Sequence, residues 1–166
     1  MSWLEERPLI AIFLFSVICM IPAFCFGISG FDAPIHGQWN AQFLDLLSLD
    51  NLRPTHAPEF FAGYGSYVFF LYPPLSFYLT ALPMALLANA ESINFIAISA
   101  SAFLAVFVSG VTCYYWIKSS YSKKIALISA LLYIALPQHL FSYYFNVSAS
   151  QIWAVSYTHL TLPTKA

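Results

Sequence analysis

Long apolar runs separated by short polar breaks dominate this chain, and their lengths set the architecture it can adopt. Residues 8–28 give 21 positions without a charged side chain, enough as a helix to cross a hydrocarbon layer of about 30 Å. A cleavable leader is the competing reading. Leaders carry an apolar core of about 7–15 residues behind a positive start, whereas Glu5 and Glu6 outweigh Arg7 here. Residues 93–117 and 125–145 are two more runs of spanning length, joined through Lys118, Ser119, Ser120, Tyr121, Ser122, Lys123 and Lys124. They predict a helical hairpin with a basic turn.

Residues 67–89 form an apolar run of 23 positions that hydropathy alone would count as a further span. Its prolines argue otherwise. Pro73 and Pro74 stop a helix from continuing through Tyr72, and the segment from 74 to 88 would reach only about 22 Å. Loop charge gives an independent criterion, because Lys and Arg of short loops collect on the cytoplasmic side. If this run does not cross, Arg7, Lys118, Lys123 and Lys124 share one side and Arg53 stands on the other. The expected fold is therefore an all-α membrane protein with three transmembrane helices, and residues 74–88 form a helix in the outer interface. Four spans is the alternative.

Between the first two spans the period changes. Trp39, Phe43, Leu46 and Leu47 recur at helical spacing while Gln38, Gln42, Asp45 and Leu49 point elsewhere, which predicts an amphipathic helix over 37–49 on the membrane surface with Trp39 as its anchor. Asp50 to Pro54 and His56-Ala57-Pro58 carry turn residues, and Gly63-Tyr64-Gly65 is a bend beside an aromatic. The outer loop, residues 29–92, thus holds helix, turn, glycine bend and second helix.

Composition agrees with a bilayer as solvent. Sixty per cent of the residues are apolar, 19% aromatic and only 8% charged, with a mean hydropathy of +0.73; a soluble domain carries about 25% charge. A net charge of −1 leaves no basic stripe for nucleic acid, and neither a P-loop nor a dinucleotide-binding glycine pattern occurs. Cys19, Cys25 and Cys113 lie inside apolar runs without a ligand partner at metal spacing, and read as small core or lipid-facing residues.

Charge is nevertheless concentrated. Asp32, Asp45, Asp50, Arg53 and Glu59 fall between Phe31 and Pro74, with His36 and His56 beside them, and this stretch is the candidate site. The order of a first span, Asp32 with His36, a surface helix, Arg53-Pro54, Gly63-Tyr64-Gly65 and Tyr72-Pro73-Pro74-Leu75 followed by Tyr78 resembles the N-terminal part of GT-C membrane glycosyltransferases. It is most similar to the membrane family labelled 6-pyruvoyl-tetrahydropterin synthase-related, over about residues 8–150. The resemblance implies many more spans than three, a first loop outside, and an acidic residue after the first span acting on a polyprenyl-phosphate-linked sugar donor.

A sugar leaving a lipid phosphate needs a base for the acceptor hydroxyl and positive charge for the phosphate, and a carboxylate at the membrane edge can be that base or hold a divalent metal such as Mg or Mn. Asp32 is the first choice for either role; capping of a helix that starts near Ala33-Pro34 is the structural alternative. His36 would share its side one turn later as a second ligand or phosphate partner, or would simply be solvated. Arg53 could meet a lipid phosphate or anchor to headgroups. His56 and Glu59 could support a metal only if Pro58 permits a turn. Tyr64, Tyr72 and Tyr78 could line a sugar or prenyl groove, or belong to the membrane belt.

Asn146-Val147-Ser148 fits a glycosylation pattern that is common by chance. From Val155 to Ala166 the sequence resembles a translated sequencing adapter, so residues 1–154 are expected to be the native part, an N-terminal fragment whose missing C-terminal helices would complete the fold. The resembled family usually offers an Arg and a Glu after the third span, where this chain has Asn146 and Gln151. The fragment alone is expected to be inactive. The expected setting is the plasma membrane of a prokaryote with the N-terminus cytoplasmic. A transporter or channel subunit and a non-catalytic membrane scaffold are the other functional readings.

Overall fold

The computed structural model of the chain describes residues 6–28, 30, 32–87, 95–146 and 153. Expectations for Glu5, Phe31, Val147, Ser148, Gln151 and the adapter-like tail lie outside the described residues. Those residues are overwhelmingly helical, and among them the only β-type pairing is an isolated bridge between Ala57 and Ser66.

Helix α1, Pro8–Phe26, starts on a proline in its first turn, where the missing N–H is not needed, and ends at Gly27 with φ +75°. Helix α5, Phe95–Lys118, and α6, Lys123–Ile134, form the expected hairpin, and the Ser122 hydroxyl caps α6 by accepting the Ile125 N–H at 3.4 Å. α1 and α5 are each long and apolar enough to cross a membrane. The third run departs from expectation. Instead of a continuous helix over 125–145, α6 stops at Ile134, and after a 40° bend the chain continues as α7, Pro137–Phe141, and a π-helical turn, Ser142–Asn146. Pro137 is the cause: the residue before it, Leu136, sits at φ −56°, ψ 131°, the extended conformation a following proline enforces. Counted as one bent span, this pair gives a third membrane-crossing element, and the apolar helices support a membrane-embedded protein.

α1, α5 and α6 pack around Ile12, Met20, Ala105, Val106, Ala126, Ala130 and Ile134. Small residues let the helices approach closely. A Cβ on Gly110 of α5 would lie 2.5 Å from Ile134 Cδ1 and 3.0 Å from Ile12 Cγ2, so this glycine marks the place where α1, α5 and α6 meet. Polar side chains hold the apolar bundle together: Ser99 Oγ donates to the Ala23 carbonyl at 3.0 Å, and Tyr144 Oη to the Cys19 carbonyl at 2.6 Å. The outward side of α1 leaves Phe13, Leu14, Ile18 and Ile21 exposed, an apolar surface that suits lipid.

The segment between α1 and α5 folds as its own layer. It contains α2, Ala33–Leu46, the single turn α3, Val68–Leu71, and α4, Pro74–Leu87. α2 starts four residues before the expected 37 and ends three before 49. Phe43, Ala57, Val68, Phe69, Phe77 and Ala81 make a second core, with Trp39, Leu46 and Leu47 packed against it. The face expected to lie on the membrane is thus used against the protein's own α3 and α4; helical period identifies an apolar face but not what covers it. α4 carries Pro83, which cannot donate to the Leu79 carbonyl. Ser101 Oγ of α5 donates to that carbonyl at 3.4 Å and lies 3.1 Å from Thr80 Oγ1, joining the loop layer to the bundle.

Candidate functional site

Asp32 is the residue from which α2 departs, half-buried, with φ −93° and ψ −2°. Its carbonyl accepts the His36 N–H at 2.9 Å, but its carboxylate makes no capping hydrogen bond. The side chain is therefore not used as a cap, although a negative charge there still meets the positive end of the helix. One turn on, His36 is buried rather than solvated, and its ring meets Trp39 edge-on at 5.0 Å. Burial lowers the His36 pKa below its ordinary value of 6.5, and the nearby Asp32 charge opposes that shift. Trp39 in turn packs on Tyr72 at 5.3 Å and on Phe60 at 6.2 Å. Asp32, His36 and, through Trp39, Tyr72 are brought into one neighbourhood.

The remaining expected site residues are distributed differently. Arg53 is exposed in the turn that follows α2, held between the fully buried Pro54 and Leu52, whose carbonyl accepts the Tyr78 hydroxyl. His56 packs on Tyr67 at 4.9 Å and against Gly65, where a Cβ would come within 2.7 Å of the imidazole Cε1. The Ala57–Ser66 bridge, with N···O distances of 2.7 and 2.8 Å, fixes that arrangement. Glu59 is exposed. Tyr64 projects outward, 91% exposed.

Glu59 instead lines an open cleft of about 290 Å³ with Gln38, Gln42 and Asp45 of α2 and with Phe60 and Phe61. Gln38, Gln42 and Asp45 recur at i, i+4 and i+7, a polar stripe legible in the sequence but overshadowed there by the apolar face beside it. Gln42 is nine-tenths buried, and its Oε1 has no hydrogen-bond partner; Asn40 Oδ1 is likewise unpaired, although Asn40 Nδ2 donates to the His36 carbonyl at 2.7 Å. Each such buried acceptor costs about 1–3 kcal/mol while it stays unmet. The wall opposite α2 is a tight loop in which Phe61 and Ala62 adopt φ +52° and +57° before Gly63 at +91°. Two consecutive left-handed non-glycine residues, one of them bulky, are held there against their own preference.

Asp32 and His36 supply two donor side chains for a divalent metal, and among the described residues no group of three or more His, Cys, Asp or Glu gathers. The pair does not by itself make a protein-only metal centre. A scan of family models, a search of curated proteins and a search of solved structures each return no match to this chain.

Proposed function

We propose that this chain forms the first spans and the donor-facing outer loop of a membrane glycosyltransferase that uses a polyprenyl-phosphate-linked sugar. The observation that carries the reading is Asp32: a half-buried carboxylate at the edge of the apolar bundle, just past the first spanning helix, whose oxygens are not taken up by capping. In the reaction, the acceptor hydroxyl oxygen attacks C1 of the sugar and its proton passes to the Asp32 carboxylate. The bond from C1 to the phosphate oxygen breaks, and its electron pair leaves with the polyprenyl phosphate. Arg53, exposed in the same loop, offers positive charge to that phosphate. The Trp39–Tyr72 pair supplies an aromatic surface for the sugar or the first prenyl units.

Membranes carrying the full-length protein, supplied with radiolabelled polyprenyl-phosphate mannose, glucose or galactose, test this directly. Asp32→Asn should lower transfer by about 100-fold or more while membrane insertion is unchanged. Transfer retained in that variant ends the assignment of Asp32 as base, and no transfer by the parent protein from any of the three donors ends the glycosyltransferase reading.

A transporter is the second reading, favoured by the broken third run. Discontinuous spans occur where transporters bind substrate, and here the break carries His139, whose Nδ1 lies 3.0 Å from Tyr143 Oη. Solute uptake that depends on His139 and not on Asp32 would select it.

A further inference from the structure

We propose that the lysine turn between α5 and α6 and the exposed side of α6 together bind an anionic glycerophospholipid, its phosphodiester against the lysines and an acyl chain along the helix. The apolar half of this surface is a stripe. Ile125, Ile128 and Leu132 are 49%, 44% and 64% exposed and recur at i, i+3 and i+7, while Ala126, Leu127, Ala130 and Ile134 turn the other side of α6 into the bundle core. The stripe runs about 10 Å along the axis, most of the roughly 15 Å that the hydrocarbon of one leaflet offers.

The charged half lies at one end of that stripe. Lys124 stands one turn before Ile128 on the same side of α6, and Lys118 and Lys123 add two further ammonium groups from the same turn, all three exposed. Lys118 Nζ is kept at the end of α5 by the rings of Tyr114 and Tyr115, at 5.6 and 5.5 Å. No Asp or Glu occurs after Glu91, so α5 and α6 bring no carboxylate of their own, and among the described residues Lys123 and Lys124 make no ion pair.

Charge at one end and an apolar stripe behind it select an occupant with the same division. A soluble anion would meet the lysines and leave the stripe unused, and a zwitterionic lipid would fill the stripe but bring its own cation among the lysines. An anionic lipid suits both halves, with about a fivefold gain for each lysine near the surface. The inference rests neither on sugar transfer nor on the number of spans, because the turn between α5 and α6 meets a membrane surface in either topology.

The test uses the full-length protein in a cysteine-free background, labelled with bimane at Ile128→Cys on the stripe or at Ile18→Cys on the outward side of α1. Phosphatidylcholine vesicles carry brominated phosphatidylglycerol or brominated phosphatidylcholine as quencher. At Ile128 the glycerol lipid should quench as if enriched at least about tenfold over the choline lipid, whereas at Ile18 the two should quench alike. Lys124→Gln should lower the enrichment about fivefold, and the Lys118→Gln/Lys123→Gln/Lys124→Gln variant should remove it while keeping the parent thermal midpoint, since all three side chains are exposed. Asp32→Asn should change none of these values, so loss of transfer and loss of lipid binding are separable. Excess glycerol phosphate should leave the quenching unchanged. Equal quenching by the two lipids at Ile128, enrichment retained in the triple variant, or displacement by glycerol phosphate overturns the proposal, the last by showing that a soluble anion suffices. Absence of quenching at Ile128 by either lipid also overturns it, because protein then covers the stripe.

Discussion

The His36 imidazole and the Asp32 carboxylate sit one helical turn apart, and their coupling gives a measurable dependence on pH. His36 titrates near 6.5 when unfolded and lower when folded, because burial disfavours its charge more than Asp32 supports it. Between the two values the unfolded chain binds more protons, so stability rises with pH through that window and is fully present above about 6.5. Acidification below that value should lower the thermal midpoint of the detergent-solubilised protein, and His36→Gln should flatten this acid limb. Equal slopes for the two proteins between about pH 6.5 and 5 would remove His36 as the titrating group. The nearness of Asp32 and His36 was legible from i, i+4 spacing, but the burial of His36 was not. Burial depends on Trp39 and on what covers it, which are contacts between segments far apart in sequence. The same holds for Gln42: its place on a polar stripe could be read, whereas its burial and its unpaired oxygen could not.

Gly110 shows how helix pairing depends on the absence of one methyl group. Its missing Cβ leaves room for Ile134 of α6 and Ile12 of α1, both fully buried, so neither side chain has free space to withdraw into. Gly110→Ala should therefore destabilise the bundle by about 1–3 kcal/mol despite its gain in helix propensity. Ile134→Val removes the Cδ1 atom at 2.5 Å, and in a double variant it should recover part of that loss. The check is a double-mutant cycle on thermal or denaturant unfolding in detergent; strictly additive effects would show that the two sites do not press on each other. Helices α1, α5 and α6 were readable because apolar length is a strong signal in a chain with so few charges. The break in the third run was readable in principle, since Pro137 limits a helix as Pro73 and Pro74 do. It was passed over because hydropathy stays high on both sides of it, and hydropathy is indifferent to whether the backbone can continue.

Topology follows from how the loop layer meets the bundle. α4 has 14 residues, a length of about 21 Å against the roughly 30 Å of a hydrocarbon core. It is fastened to α5 through Thr80 and Ser101 and to α2 through Phe43 and Phe77, which stack at 5.3 Å. A helix this short, with one side committed to α2, serves as a re-entrant or interfacial element more readily than as a crossing. If it does not cross, the Ser119–Ser122 turn lies on the side of Arg7, and with the N-terminus inside, as the loop charges predict, α1 leads outward and α5 returns. Lys118 then extends over Tyr114 and Tyr115 at 5.6 and 5.5 Å, an arrangement suited to the inner interface, and Lys123 and Lys124 place further positive charge there. In a cysteine-free background, Ser120→Cys should react with a membrane-impermeant maleimide only after permeabilisation, while Tyr64→Cys, at the exposed tip of the loop, should react in intact cells. Labelling of both positions in intact cells would mean that α4 crosses after all. The lysine turn would then share a side with Arg53 and Asp32, so the experiment decides the number of spans without presupposing any chemistry.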